Sequence, residues 1–300
     1  MKIAILSREP SNYSTKRLME VAHNRGHNAI LVNHARCYVE IEQDNPTVRY
    51  EGEDISNLDA VIPRIGSNIT KYGSAIVRQF EMMDVFTTAK SIAIVRTRDK
   101  LRSLQVLSKA GVGIPRTIFS RETRSVNDLV GQIGVPMIIK VARGTHGNGV
   151  VLAETQKAAK SVIQAFYVEG VNILLQEYIA ESEGKDVRVF IIGGRVVASM
   201  ERQSLDDDFR SNIHQGGVGA AIKLTQEERR TAIKAAKALG LSMCGVDMLR
   251  SKRGPLVIEV NSSPGLEGIE KATGKDIASK IIEYVELHAK RQKKKDRIGA

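Results

Sequence analysis

The sequence has no tryptophan, two cysteines and an aromatic content of 4%, and each shortage closes a class of function. Cys37 and Cys244 stand far apart and in no CxxC spacing. Neither a disulfide framework nor a cysteine-ligated zinc site is therefore expected, and a reducing cytoplasm is the expected location. Too few aromatic rings interleave with the basic residues to form the stacking surface of a single-strand nucleic-acid binder. No apolar run approaches the roughly 20 residues that a membrane helix needs. The apolar start, residues 1–6, is shorter than a signal-peptide core and runs into polar Ser7-Arg8-Glu9, so it reads as a first strand. There is no GxSxG elbow and no Walker A loop. His23 and His27 are four apart, but Gly26 interrupts the helix between them and no glutamate follows His23, which removes the helical zinc-protease pattern.

What is present is a chain of 300 residues, long enough for two or three packed units, with the 42% hydrophobic and 26% charged content of a globular protein. Its net charge is +11. Part of this sits in the last residues, where Lys290, Arg291, Lys293, Lys294, Lys295 and Arg297 face Asp296, yet the remaining body still carries about +6 once these are set aside. A basic body favours acidic partners: nucleic acid, phosphates or an acidic peptide. The tail itself reads as a solvated, frayed end.

Strands at 2–6, 28–32 and 59–62, with ambiguous short ones at 36–41 and 47–50, alternate with helices up to Gly26 and over 69–83. That alternation argues for a parallel α/β sheet. Ligands of such sheets bind beyond the carboxyl ends of the strands, which places Ser7-Arg8 and Arg64-Ile65-Gly66 near one cleft. Residues 91–96 begin a connection, and a helix opens at Thr97 and runs to Ala110 before Gly111. A strand at 114–119 and a helix at 126–133 precede the apolar strand 135–141, which carries one lysine, Lys140. A lysine on such a strand needs an anionic partner. Gly144, Gly147 and Gly149 then mark a loop whose backbone N–H groups can cradle phosphate, or which is a plain hairpin turn. After a core helix at 155–166 come strands at 173–179, 186–192 and 195–200, the last two joined by a Gly193-Gly194 turn. The long polar loop 201–217 is of the kind that serves active sites. Helices at 226–239 and 275–288 flank the final motif.

That motif, GVDMLRSKRGPLVIEVNSSPG over 245–265, reads as two strands folded about Arg253. The fold sets Asp247 opposite Glu259 and Gly245 opposite Asn261, with Glu259 and Asn261 on one face. Facing carboxylates destabilise a sheet unless a cation lies between them. The group is either a site for Mg²⁺ or Mn²⁺, which take hard oxygen ligands, or two solvated carboxylates on an exposed face.

Lys140, the GTHGNG loop, QEYI at 176–179, Asp186, FRSN at 209–212 and the hairpin follow one another in an order that resembles the ATP-grasp superfamily over nearly the whole chain. With RDKLRS at 98–103, GVVLAET at 149–155 and EVNSSPGLEGIEKATG from 259, the sequence is similar to RimK-type ATP-grasp ligases, a family that includes an enzyme adding glutamate to the C-terminus of a small-subunit ribosomal protein and relatives that glutamylate cofactors or use other amino acids. The resemblance implies an α/β fold, α+β in its ATP-binding part: an ATP-grasp fold with an N-terminal parallel-sheet domain (1–95) and two subdomains (96–185 and 186–288) clasping ATP, followed by a basic tail (289–300). It implies that Lys100, Lys140 and the loop of Gly144, Gly147 and Gly149 meet ATP phosphates, that Glu177, Tyr178 and Ile179 meet adenine, and that Asp186 accepts from ribose. Asp247, Glu259 and Asn261 would hold two Mg²⁺ or Mn²⁺ ions. Arg210, with Ser211 and Asn212, would stabilise the transferred phosphoryl group, and Arg202 would lie on the substrate side. L-glutamate, the acidic C-terminus of the ribosomal protein and a homotetrameric assembly are implied in the same way. A ligase for small-molecule carboxylates has the same chemistry and is separated by acceptor assays. A non-enzymatic ribosome- or nucleic-acid-binding protein is suggested by charge alone and disfavoured by the acidic hairpin.

Overall fold

The computed structural model describes residues 1–121, 125–142, 149–203 and 218–295, with side chains through Lys290. The N-terminal part contains β1 (Lys2–Leu6), α1 (Tyr13–Asn24), β2 (Asn28–Val32), β3 (Cys37–Glu40), β4 (Thr47–Tyr50), β5 (Glu53–Asp54), β6 (Ala60–Pro63), α2 (Thr70–Met82) and β7 (Phe86–Thr87). Strands β2-β1-β6-β7 form a parallel sheet in that order. Strand β1 is apolar from Ile3 to Leu6 because both of its faces are covered there: Ile3 and Ile5 enter one core, Ala4 and Leu6 another. The two segments that the sequence leaves ambiguous pair as the antiparallel ribbon β3–β4, extended by β5.

The connection after residue 90 is a helix, α3 (Ser91–Arg98), and a separate helix follows it, α4 (Lys100–Lys109). The break falls at Asp99, whose carboxylate caps the Arg102 N–H at 2.9 Å. Thr97 and Arg98 thus end one helix instead of opening the next. The run Ile92-Ala93-Ile94-Val95 has no helical period to betray α3, and the burial of Ala93 and Ile94 against the first core decides its state.

The central part holds β8 (Thr117–Ser120), α5 (Val126–Ile133), β9 (Met137–Val141), β10 (Val150–Ala153), α6 (Gln156–Val168) and β11 (Ile173–Glu177). Its antiparallel sheet, in the order β10-β9-β11-β8, packs with α5 and α6 around a core of its own that includes Val130, Met137, Ile139, Ile163 and Leu175.

The C-terminal part holds β12 (Lys185–Ile192), β13 (Arg195–Gln203), β14 (Val218–Ala221), α7 (Gln226–Leu239), β15 (Met243–Ser251), β16 (Gly254–Asn261), α8 (Glu267–Thr273) and α9 (Ile277–Lys295). The antiparallel sheet runs β14-β13-β12-β15-β16. Gly193 and Gly194 join β12 to β13 with φ of 58° and 74°, the left-handed pair that a tight hairpin turn requires. Helix α9 continues through the basic residues to Lys295, beyond the end expected at 288. Lysine, arginine and glutamine are good helix formers, and cations suit the negative end of the helix dipole.

The first and last parts share their cores. Ala4 and Leu6 pack in one cluster with Val187 and Val246, and Ile3 and Ile5 pack in the other with Phe190 and Met243. The parallel sheet and the antiparallel sheet are therefore fused, while the central sheet stands apart across a cleft. Among the described residues no helix is long and apolar enough to cross a membrane.

Candidate functional site

The cleft is a cavity of about 830 Å³ lined from all three parts of the chain. Sheet register builds its floor. Arg188 on β12 is directly opposite Asp247 on β15, which is directly opposite Glu259 on β16. The adjacent row sets Phe190, Gly245 and Asn261 in line. Pro264 explains the glycine: a Cβ at position 245 would lie 3.0 Å from the proline Cβ. The opposition of Asp247 and Glu259 arises by an unexpected route. The turn has two residues, Lys252 and Arg253, and a bulge between Asp247 and Met248 restores the register by giving β16 one extra residue.

The cation that faces Asp247 here is a pair of guanidinium groups. Arg188 donates to both carboxylate oxygens at 2.7 and 2.6 Å, and Arg202 lies 3.1 Å from one of them. Burial works against the Asp247 charge, and Arg188 and Arg202 outweigh it, holding the carboxyl below its ordinary range. Arg202 also clasps Asp186 at 2.7 and 2.6 Å, and both residues are buried. Asp186 and Arg202, expected toward ribose and substrate, are thus bound to each other beneath the cavity. A contact to ribose would require Asp186 to share an oxygen already accepting from Arg202.

On the opposite wall, Lys140 on β9 donates to Gln176 Oε1 at 2.7 Å, and Gln176 donates in turn to Thr117 at 2.9 Å. Burial pushes the Lys140 ammonium down to about 8; the field of Glu259 works to raise it and Lys100 to lower it. The anion that the strand lysine needs is therefore approached by Glu259 but not supplied as an ion pair. Lys100, at the start of α4, lies 3.4 Å from the Val141 carbonyl, its ammonium also pushed down by burial and raised by Glu259. Gly149 adopts φ +74°, and a Cβ there would meet Val141 at 2.4 Å, so the hairpin closes only with glycine. Glu177, Tyr178 and Ile179 line the same cavity, with the Glu177 carboxylate accepting from the Arg116 N–H at 2.6 Å and from Arg253.

Lys100, Lys140, Glu177, Tyr178, Ile179, Asp186, Arg202, Asp247, Glu259 and Asn261 thus line one cavity. Gly144, Gly147, Arg210, Ser211 and Asn212 lie outside the described residues. The sequence reading missed Arg188 as the partner of Asp247. Its signal was alternation, which puts Arg188 on the same strand face as Asp186. It also missed Gln176, whose buried amide sits two places from Leu174 and so shares the face toward Lys140.

The hairpin suits a hard divalent cation. Glu259 is exposed to the cavity, Asn261 adds an amide oxygen, and Asp247 retains acceptor capacity after its three guanidinium contacts, since two carboxylate oxygens offer about four lone-pair sites. Glu259 and Asn261 would be the main ligands, with Asp247 completing the set.

The RimK PreATP-grasp domain model matches residues 1–94, and the RimK-like ATP-grasp domain model matches residues 97–285. Proteins described as probable alpha-L-glutamate ligases from Photobacterium profundum and Hydrogenovibrio crunogenus are 55% and 56% identical over 296 and 298 residues. These alignments cover 98% and 99% of this chain and equal shares of the relatives. Among solved structures, the ATP-grasp ligase PsnB complexed with minimal precursor, Mg and ADP superposes with a TM-score of 0.75 at 19% identity, covering 96% of this chain and 98% of that one. D-alanine–D-alanine ligase from Bacillus anthracis gives 0.69 at 15% identity over 99% of each. These two carry the fold alone. With both domain models and near-full-length relatives in agreement, the chain belongs to the RimK-like ATP-grasp family.

Proposed function

We propose that this chain is an ATP-dependent ligase that adds L-glutamate, through an acyl phosphate, to the C-terminal carboxylate of a small-subunit ribosomal protein. The observation that carries the reading is the cavity itself: two half-buried lysines on one wall face an acidic, amide-bearing hairpin on the other. A nucleotide triphosphate fits that charge pattern, its phosphates between Lys100 and Lys140 on one side and the hairpin on the other, its base toward residues 177–179. Neutralising phosphate charge and aligning the reactants is most of what such a transfer needs from the protein.

In this reading the acceptor carboxylate attacks the γ-phosphorus, and the bond to ADP breaks. The glutamate amine then attacks the acyl carbon, phosphate leaves, and a peptide bond remains. Mg²⁺ or Mn²⁺, when held by Glu259, Asn261 and Asp247, would neutralise phosphate charge; a count of two ions rests on the family resemblance. Arg188 and Arg202 position Asp247, and Asp186 positions Arg202. The loop of Gly144, Gly147 and Gly149 is assigned to excluding water from the acyl phosphate, and Arg210, Ser211 and Asn212 to stabilising the transferred phosphoryl group, both by resemblance. The division at 95, 185 and 288, a cytoplasmic location and a homotetramer belong to the same proposal.

The test is mass spectrometry of candidate acceptor peptides after incubation with ATP, Mg²⁺ and each amino acid in turn. Glutamyl additions to a peptide C-terminus with release of ADP and phosphate are expected. Turnover of a small carboxylate with no peptide product would move the reading to a small-molecule ligase.

A further inference from the structure

Three neighbouring parallel strands each deliver a basic residue just past their carboxyl ends. Arg8 follows β1, His34 follows β2 and Arg64 follows β6, and α3 ends beside them with Arg98. All four line the same cavity as Lys140 and Asp247. This is the end of a parallel sheet at which ligands bind, and the nucleotide reading leaves it unused.

The cluster is underpaired in a consistent way. Among the described residues the Arg64 guanidinium has no carboxylate partner and no side-chain hydrogen bond; only its backbone N–H is engaged, to the Leu6 carbonyl at 2.9 Å. Arg98 donates one Nη2 bond to the Ile65 carbonyl at 2.7 Å, while its Nε is buried without an acceptor. His34 is 0% exposed with neither ring nitrogen bonded. Ser262, 1% exposed on the facing hairpin, has an unbonded hydroxyl in the same cavity. Burial, with Arg98 adding to it, pushes the Arg64 guanidinium down to about 10. Burial, with Arg8 adding to it, pushes the His34 imidazole down to about 4, so the ring is neutral and can give one hydrogen bond and take one. Glu259 is the carboxylate whose field reaches Arg98, and it belongs to the hairpin opposite.

Buried donors that the chain leaves unmatched are matched by a ligand or cost stability. Planar guanidinium groups fit carboxylate oxygens in pairs, and a neutral imidazole adds a further donor. We infer that Arg64, with Arg98, Arg8 and His34, forms a carboxylate-binding subsite on the N-terminal wall of the cavity, where it holds a carboxylate of the second substrate beside the nucleotide. The inference rests on the ligase reading for the identity of that substrate. The carboxylate belongs either to the amino acid being added or to the peptide that accepts it, and the two sources are separable.

The test compares wild type with Arg64→Gln. KM for one carboxylate substrate, L-glutamate or an acidic peptide, should rise at least about tenfold, the loss of one charge-assisted hydrogen bond, while KM for ATP stays within about twofold. A rise for glutamate places the amino acid in the subsite; a rise for the peptide places the acceptor there. Arg8→Gln, a second half-buried position past the neighbouring strand β1, should move the same KM in the same direction and guards against misfolding of the first variant. Binding is read separately by thermal shift with glutarate, which should raise the Tm of wild type and leave that of Arg64→Gln unmoved. If wild type turns over no carboxylate but the glutarate shift depends on Arg64, the ligase reading fails and the subsite stands. Unchanged KM for both carboxylate substrates, a rise confined to ATP, or a glutarate shift equal in the two proteins would overturn the subsite.

Discussion

Lys140 occupies a strand whose neighbours are apolar, and its ammonium is pushed down to about 8 by burial, with Glu259 opposing and Lys100 adding. The protonated form is the one that pairs with phosphate, so bound nucleotide raises this pKa. It follows that ADP affinity, measured in EDTA so that no cation enters, should be level between about pH 7, where the terminal phosphate is largely dianionic, and about pH 8. Above it, affinity should fall by up to about tenfold per pH unit, because binding then takes up a proton. Lys140→Met should weaken ADP at pH 7 by roughly 1.5–3 kcal/mol and remove the break near pH 8. Calorimetry across about pH 7–10 decides the matter, and a variant with unchanged affinity would show that Lys140 does not meet the phosphates. Glu259 carries the complementary prediction. From the sequence, replacing it should relieve repulsion with Asp247, but Asp247 already has two guanidinium partners. What Glu259 faces is Arg98, Lys100 and Lys140, each of which feels its charge. Glu259→Gln should therefore abolish turnover with Mg²⁺ or Mn²⁺ and lower the apo Tm. A higher Tm would mean that repulsion across the hairpin outweighs attraction to the three cations.

At the scale of elements, the acidic hairpin was readable because alternation and a turn rich in charge fix which residues face which. Its bulge was not, since a two-residue turn plus one extra residue yields the same pairs as a three-residue turn. Helix α3 was hidden for want of a period. The fastening of α1 to the C-terminal helices was hidden by distance in the chain. Glu270 accepts from Tyr13 Oη and from the Ile277 and Ala278 N–H groups, and Ser14 Oγ accepts from the Leu266 N–H, contacts that no local pattern announces. Glu286 on α9 completes this seam, accepting from Arg25 at 2.9 and 2.8 Å and meeting His27 at 2.7 Å. The Arg25 hydrogen bond, against burial and with help from His27, holds its carboxyl at about 2. A carboxyl depressed in the folded state stabilises above its unfolded pKa and loses that contribution as pH falls through the folded one. Glu286→Gln should thus cost about 1 kcal/mol at pH 7, the upper end for partly exposed pairs. The difference from wild type should shrink between pH 4.5 and about 2. Urea melts of both proteins at pH 7 and pH 3 measure it, and a gap that does not narrow in acid would assign the stability of the seam to packing.

On the scale of the molecule, the fold class was legible because β-α-β alternation opens the chain and the hairpins β9–β10, β12–β13 and β15–β16 follow it. The separation of cores was not, since which buried faces merge depends on contacts between the first strand, β1, and the distant strands β12 and β15. Charge is the whole-molecule property that reaches furthest from the cleft. The chain carries +11, and its N-terminal wall adds Arg8, Arg64 and Arg98 to a cavity that already holds Lys100 and Lys140. If the acceptor is an acidic peptide, each glutamate added brings another carboxylate, so a longer product is attracted at least as well as a shorter one, and several additions are favoured over a single one. Most of that attraction acts between solvent-exposed charges, and these are screened once the Debye length falls to about 8 Å or below. Lys100 and Lys140, the lysines proposed to meet ATP, are partly buried and screened less. A salt series with a peptide ending in Glu-Glu, followed by mass spectrometry, should therefore show the peptide KM rising with salt more steeply than the ATP KM, and product lengths shortening in parallel. A peptide KM indifferent to salt, or a single addition at every ionic strength, would mean that acceptor binding depends on short-range contacts in the cavity and not on the field of the molecule.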